Sequence, residues 1–174
     1  MLTCIRIMRP VVTICLFFVL GYNAVAQIPR TTAGQFRYYG EMLAETTPQT
    51  MGRAKSFFNQ PFLVHWDTVA HIEKPANLLL TGKGHINVKA KLHDIGTPSN
   101  VPVSFHMSLE IVNGHYRYTI DHFEVTDKEG NSQYALEDKP ESVKSLVYSQ
   151  LLQKTHKQVS FIIGWLKQYM KDEE

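Results

Sequence analysis

Residues 101–125 constrain this chain more tightly than any other stretch. Val103, Phe105, Met107, Leu109 and Ile111 alternate with Ser104, His106, Ser108 and Glu110, the period-two pattern of a strand with one dry face. Asn113-Gly114 follows, and a second strand pattern begins at once. Both residues tolerate the positive φ of a tight two-residue hairpin turn. Such a turn dictates the register. Ile111 faces Tyr116, Leu109 faces Tyr118 and Met107 faces Ile120 on the apolar side; Glu110 faces Arg117 and His106 faces Asp121 on the other. Each cross-strand pair contributes about 0.2–1 kcal/mol. A slip of one residue would drive Glu110 or Arg117 into the core. The same register puts His122 inward, opposite Phe105, where it is expected to be partly buried and hydrogen-bonded; Phe123 and Val125 suggest a bulge there that changes the facing.

The flanking segments supply one strand before this sheet region and a helix on either side of it. Gln35–Ala44 is aromatic-rich and reads as a first strand, weakened by Gly40. Thr47-Pro48 has the chemistry of a helix start: a side-chain acceptor for a free amide, then a residue whose missing donor costs nothing in the first turn. Met51, Ala54, Phe57 and Phe58 share one helical face and Pro61 ends it, which predicts a helix over 48–60. Gly52 costs it about 1 kcal/mol. Thr68–Glu73 reads as a short strand and Lys74-Pro75 as a turn. Asn77–Leu92 reads as a longer strand, with Gly82 and Gly84 marking a bend or bulge. Ile86, Val88, Ala90 and Leu92 point one way, and His85, Asn87, Lys89, Lys91 and His93 the other. Residues 126–141 form a polar excursion that Tyr134 and Leu136 could pin to the body. Beyond Pro140, Val143, Leu146, Val147, Leu151, Val159, Ile162, Ile163, Leu166 and Met170 make a helical stripe. Leu152, Phe161, Trp165 and Tyr169 widen it, as expected of a helix crossing a broad sheet or one bent near Lys154–His156. The expected architecture is α+β: an antiparallel sheet of about five strands with two helices on one face and a polar face left to water.

The N-terminus reads as an export signal. Arg6 and Arg9 precede an apolar run, 11–20, too short to span a bilayer comfortably, and Ala24-Val25-Ala26 supplies small residues for cleavage before Gln27. Removing residues 1–26 of 174 leaves 148, enough for one domain with a real core. Both cysteines, Cys4 and Cys15, leave with the signal. Disulfides, thiolate metal sites and a cysteine nucleophile leave with them. The formal charge falls from +2 to zero, which removes any electrostatic reason to bind nucleic acid. The expected organisation is a signal peptide at 1–26, a flexible leader at 27–34 and a single domain at 35–171. The product is expected in the periplasm or secreted, with no membrane insertion after cleavage.

Three patterns together carry a resemblance: AKSFF at 54–58, LLTGKG at 79–84, and IVNGHYRYTI at 111–120 followed by Phe123. This combination resembles a family of exported Bacteroidetes proteins that carry a domain of unknown function with a TATA-binding-protein-like fold. The likeness covers about residues 35–126; the C-terminal helical segment, 140–171, departs from it. The resemblance implies the fold and implies no reaction, ligand or site. Fold alone does not import DNA binding.

Catalytic signatures are absent from the sequence. There is no GxSxG, no HExxH, and Gly82-Lys83-Gly84 is too short for a phosphate loop. Glu110 and Asp121 share a strand face, yet each has its own basic or protonatable partner, unlike a working carboxylate pair. All eight histidines lie in the mature chain. His85, His93, His106 and His115, with Asp121, could converge into a zinc or copper site if adjacent strands bring them together, which is the basis for a hydrolase or metal-binding reading. The preferred reading is a binding or protein-interaction module of the cell envelope. It uses the polar sheet face through Tyr39, Lys89 and Arg117, needs no cofactor, and has an envelope protein or small ligand as its partner. A self-associating structural protein is a third reading, favoured if the Trp165–Tyr169 stripe is exposed.

Overall fold

A computed structural model describes residues 28–44, 47–60, 64–74, 77–90, 99–112, 114–127 and 129–171. The elements are β1 (Tyr38–Leu43), α1 (Pro48–Phe58), β2 (His65–Lys74), β3 (Asn77–Ala90), β4 (Ser99–Val112), β5 (His115–Thr126), β6 (Ser132–Ala135) and α2 (Ser145–Tyr169). The signal peptide expected at 1–26 lies outside the described residues. Among those residues no helix is long and apolar enough to cross a membrane.

The strands form one antiparallel sheet in the order β1-β5-β4-β3-β2. β4 and β5 pair in the register that a two-residue turn dictates: Ile111 with Tyr116, Leu109 with Tyr118, Met107 with Ile120, Glu110 with Arg117 and His106 with Asp121. Gly114 supplies the positive φ, 76°, at the turn; Asn113 lies outside the described residues. The sheet of about five strands is present, with a sixth short strand among the described residues. The extra one, β6, comes from the polar excursion and pairs with residues 124–126 of β5, while β1 pairs with 115–120. The two therefore share one edge of β5 end to end. Leu136 anchors the excursion: its side chain is fully buried and its N–H donates to Phe123 O at 2.7 Å.

The bulge expected near His122 is present, as a register shift opposite Ser104–His106. It corrects the burial expected for that residue. His122 takes φ 54° and turns outward, its side chain 64% exposed, while Phe123 drops into the core. Gly82 and Gly84 mark a bulge in the partner strand: their pairing with β4 is unbroken, but the register with β2 shifts between Trp66 and Thr68, opposite Gly84 and Lys83. Both glycines face inward, where a Cβ on Gly82 would lie 2.9 Å from Phe58 and Trp66, and one on Gly84 2.9 Å from Trp66. They are glycines because Phe58 and Trp66 lie against the first and Val64, the His65 backbone and Trp66 against the second.

Both helices cover the same sheet face. Thr47 caps α1, its Oγ1 accepting from Thr50 N at 3.1 Å, and Ala54, Phe57 and Phe58 bury the inner side. α2 is a single uninterrupted helix that buries Leu151, Thr155, Val159, Ile162 and Leu166, spaced three or four apart. Leu146, expected on that stripe, is 72% exposed, because it lies in the first turn outside this spacing. Among the described residues β2 pairs with β3 no further than His85, which leaves the edge of β3 beyond that point without a strand. The helix closes it: Gln158 donates to Asn87 O at 3.0 Å, and Lys154 donates to Lys89 O. The stretch expected as a flexible leader is tied down from Ile28 onward. Ile28 is buried, Arg37 N donates to Pro29 O, and the Arg30 guanidinium lies 4.1 Å from the Phe36 ring centroid. One buried isoleucine and one cation–π contact outweigh the polar composition of that stretch.

Candidate functional site

Among the described residues the helices leave the second sheet face open, and the strand registers place its side chains in rows. One row runs Thr68, Lys83, His106, Asp121 from β2 to β5. The next runs Ala70, Thr81, Ser108, Thr119 and ends at Tyr39 of β1. Beyond it lie Ile72, Leu79, Glu110, Arg117 and Glu41. From β2 to β5 the middle row is made of short side chains, with the longer Lys83, His106 and Asp121 on one side and Leu79, Glu110 and Arg117 on the other, and a trough follows. A basin of about 640 Å³ sits there, with the Thr81, Ser108 and Thr119 row as its floor and Lys83, His106, Asp121, His122 and Arg37 along one wall.

That wall is cross-linked. Asp121, only 17% exposed, accepts from Arg37 Nε at 3.1 Å through one oxygen and from His122 Nδ1 at 2.7 Å through the other. A carboxylate only accepts, so His122 carries its proton on Nδ1 and Nε2 is the free ring nitrogen. The His106 and His122 rings lie 5.1 Å apart. The bulge creates this pair, since regular alternation would have sent His122 to the other face. Lys83, flanked by Thr68 and His106, has no carboxylate partner among the described residues.

The residues singled out from the sequence divide into several places. Tyr39 and Arg117 meet at the β1 end of the face, joined through Glu41: Tyr39 OH donates to Oε2 at 3.1 Å and Arg117 Nε to Oε1 at 3.2 Å. Arg117, then Tyr39, hold the Glu41 carboxyl below its usual range, and the hydrogen bond to Glu41 pushes the Tyr39 phenol up. Lys89 is not with them. It sits at the other end of β3, ten residues from the row that holds Arg117, about 33 Å along the strand.

The histidines do not form one cluster. His85 stacks on His65 with centroids 5.1 Å apart and hydrogen-bonds Asp67 at 3.1 Å. His106 stands with Asp121 and His122 in the basin wall. His115 is at the start of β5, opposite Val112. His93 lies outside the described residues. Among those residues, no three His, Cys, Asp or Glu side chains gather closely enough to hold a metal ion. Trp165 and Tyr169 are half-buried: they pack against the core and also line a surface hollow with Gln49 and Gln168.

Sequence reasoning did not single out Lys83, Arg37 or the hydroxyl floor. The hairpin register alone places Ser108 and Thr119 beside His106 and Asp121. Thr81 and Lys83 join them only through the β3–β4 register, which no short turn dictates.

No family model matches the chain, and no curated protein matches it. Two solved structures are similar to it. A TBP-like protein from Parabacteroides distasonis aligns with a TM-score of 0.54 at 14% identity, over 84% of this chain and 99% of its own. A DUF4468 family protein from Bacteroides ovatus aligns with a TM-score of 0.57 at 10% identity, over 84% of this chain and 91% of its own. The fold is therefore α+β and TBP-like, as the sequence resemblance implies. At these identities the likeness speaks for the fold alone.

Proposed function

We propose that this protein is a binding module of the cell envelope that holds its ligand on the open sheet face, and assign it no reaction. One observation carries the reading: both helices cover the same face, leaving a polar basin at the centre of the other. Ligand sites are typically concavities with a few converging polar groups on a rigid scaffold. Lys83, His106, His122 and three hydroxyls converge on strands that are paired on both sides. The export signal read at 1–26 supports a module that works in the periplasm or outside the cell.

The test is chemical-shift mapping of the isotope-labelled protein against fractionated envelope extract. Shifts at Thr81, Lys83, Ser108 and Thr119 support the reading. Shifts confined to the outer side of α2, around Leu146 and Phe161, would overturn it, because that surface is opposite the basin.

A further inference from the structure

The chemistry of the basin wall narrows the class of ligand. Its one carboxylate among the described residues, Asp121, has both oxygens engaged by Arg37 and His122, so it offers little to an incoming cation. Lys83 brings a positive charge with no carboxylate partner among the described residues. The floor adds three hydroxyls, which donate as readily as they accept. Two imidazoles complete the set, one of them placed by a residue at φ 54°. A histidine with left-handed backbone is uncommon and costly to hold, and such residues concentrate at binding sites. The acids on the opposite side of the trough, Glu110 and Glu41, are two rows away from Lys83, about 13 Å along the strands. That exceeds the screening length of about 8 Å at physiological salt.

We propose that the basin is an oxyanion site, in which Lys83, His106 and His122 take the carboxylate or phosphate group of a ligand whose body lies over the Thr81–Ser108–Thr119 floor. The proposal rests on the reading of the open face as the binding surface. Lys83 is the principal charge. His122, held by Asp121 through Nδ1, presents a ring whose second nitrogen is free to donate when protonated. The hydroxyl row gives a ligand with hydroxyl or amide groups a place to extend across β3, β4 and β5.

Inorganic phosphate and acetate serve as probes, titrated into the labelled protein at constant ionic strength with chloride as the reference. The expected result is saturable shifts at Lys83, His106, Ser108, Thr119 and His122 with at least one probe; which probe is tighter assigns phosphate or carboxylate. Lys83→Met should weaken binding about tenfold, the loss of one charge-assisted hydrogen bond, and Lys83→Arg should restore most of it. Both substitutions are on the open face, and an unchanged thermal midpoint confirms that they fold. Three outcomes overturn the proposal: no saturable shifts in the basin with either probe, shifts indifferent to Lys83→Met, or Zn²⁺ binding at His106 and His122 that excludes phosphate. If extract still shifts the floor while both probes fail, the oxyanion assignment falls and the open-face reading stands. If neither extract nor probe touches the face, both fall.

Discussion

Replacing Gly82 by alanine adds one methyl group at a place where two aromatic rings meet. The new Cβ would lie 2.9 Å from Phe58 Cε1 and from Trp66 Cε3, whereas relaxed carbon contacts are about 3.5–4.0 Å. Neither ring has an easy escape. Phe58 is 2% exposed and its ring centroid is 4.7 Å from that of Trp66, which in turn meets Phe105 edge-on at 6.1 Å. Overpacking of this kind costs about 1–3 kcal/mol, offset by about 0.5–1 kcal/mol because alanine loses less chain entropy than glycine. The net expectation is a loss of about 1–2 kcal/mol. Gly52 and Gly164 provide the reference, since each is exposed on a helix with nothing within 4 Å of the added atom. There the same substitution should stabilise by about 0.5–1 kcal/mol. Urea unfolding at fixed pH reads all three, and one kcal/mol shifts the thermal midpoint by about 2–4 °C in a chain of this size. The unfolded chain sees the same chemical change each time, so the opposite signs come from the folded state. If Gly82→Ala proves as stable as the parent, Trp66 does not lie against β3, and the account of the inner face is wrong.

Three further outcomes are expected. Thr47→Ala removes the acceptor for Thr50 N at the start of α1 and should cost about 1 kcal/mol by urea unfolding, with Thr47→Asp recovering most of it. His122→Val places a β-branched residue at φ 54° and should cost about 1–2 kcal/mol, whereas His122→Asn should be close to neutral. Burial, then the neighbouring Tyr118, pushes the Tyr116 phenol up to about 12. A proton held more tightly in the folded state contributes stability in full below about pH 10, the unfolded value, and that contribution is lost as pH rises through about 12. Phenolate absorbance should show Tyr116 titrating late, and Tyr116→Phe should remove its share of the decline in urea midpoint between pH 10 and 12.

What the sequence made legible follows how local each determinant is. The β4–β5 hairpin needed only Asn113-Gly114 and the apolar alternation on either side, and every expected pair from Met107–Ile120 to Ile111–Tyr116 is present. The start of α1 needed only Thr47-Pro48. β6 was harder, because Ser132–Ala135 is too short and polar to show an alternation, and it exists by pairing with an edge of β5 that β1 leaves vacant. Ile28 was harder for a similar reason: a single apolar residue in QIPRTTAG has no period, and its burial depends on a pocket built by distant strands.

The candidate site lies at the non-local end of this scale. His106 and Asp121 were paired by the hairpin and are among the residues expected from sequence, but the feature that makes a basin is the row of short side chains beside them. Ala70, Thr81, Ser108 and Thr119 come from four strands, and each is ordinary within its own segment. They align only when β2, β3, β4 and β5 hold the registers observed. Lys83 shows the same dependence. Within Gly82-Lys83-Gly84 the glycines face Trp66 on the covered side, so the lysine between them must face the open side. The packing of Trp66 inside and the charge at the basin wall are thus two consequences of one tripeptide. It follows that the inner-face variant Gly82→Ala should disturb stability while Lys83→Met disturbs binding, and that the two effects should separate although the residues are adjacent.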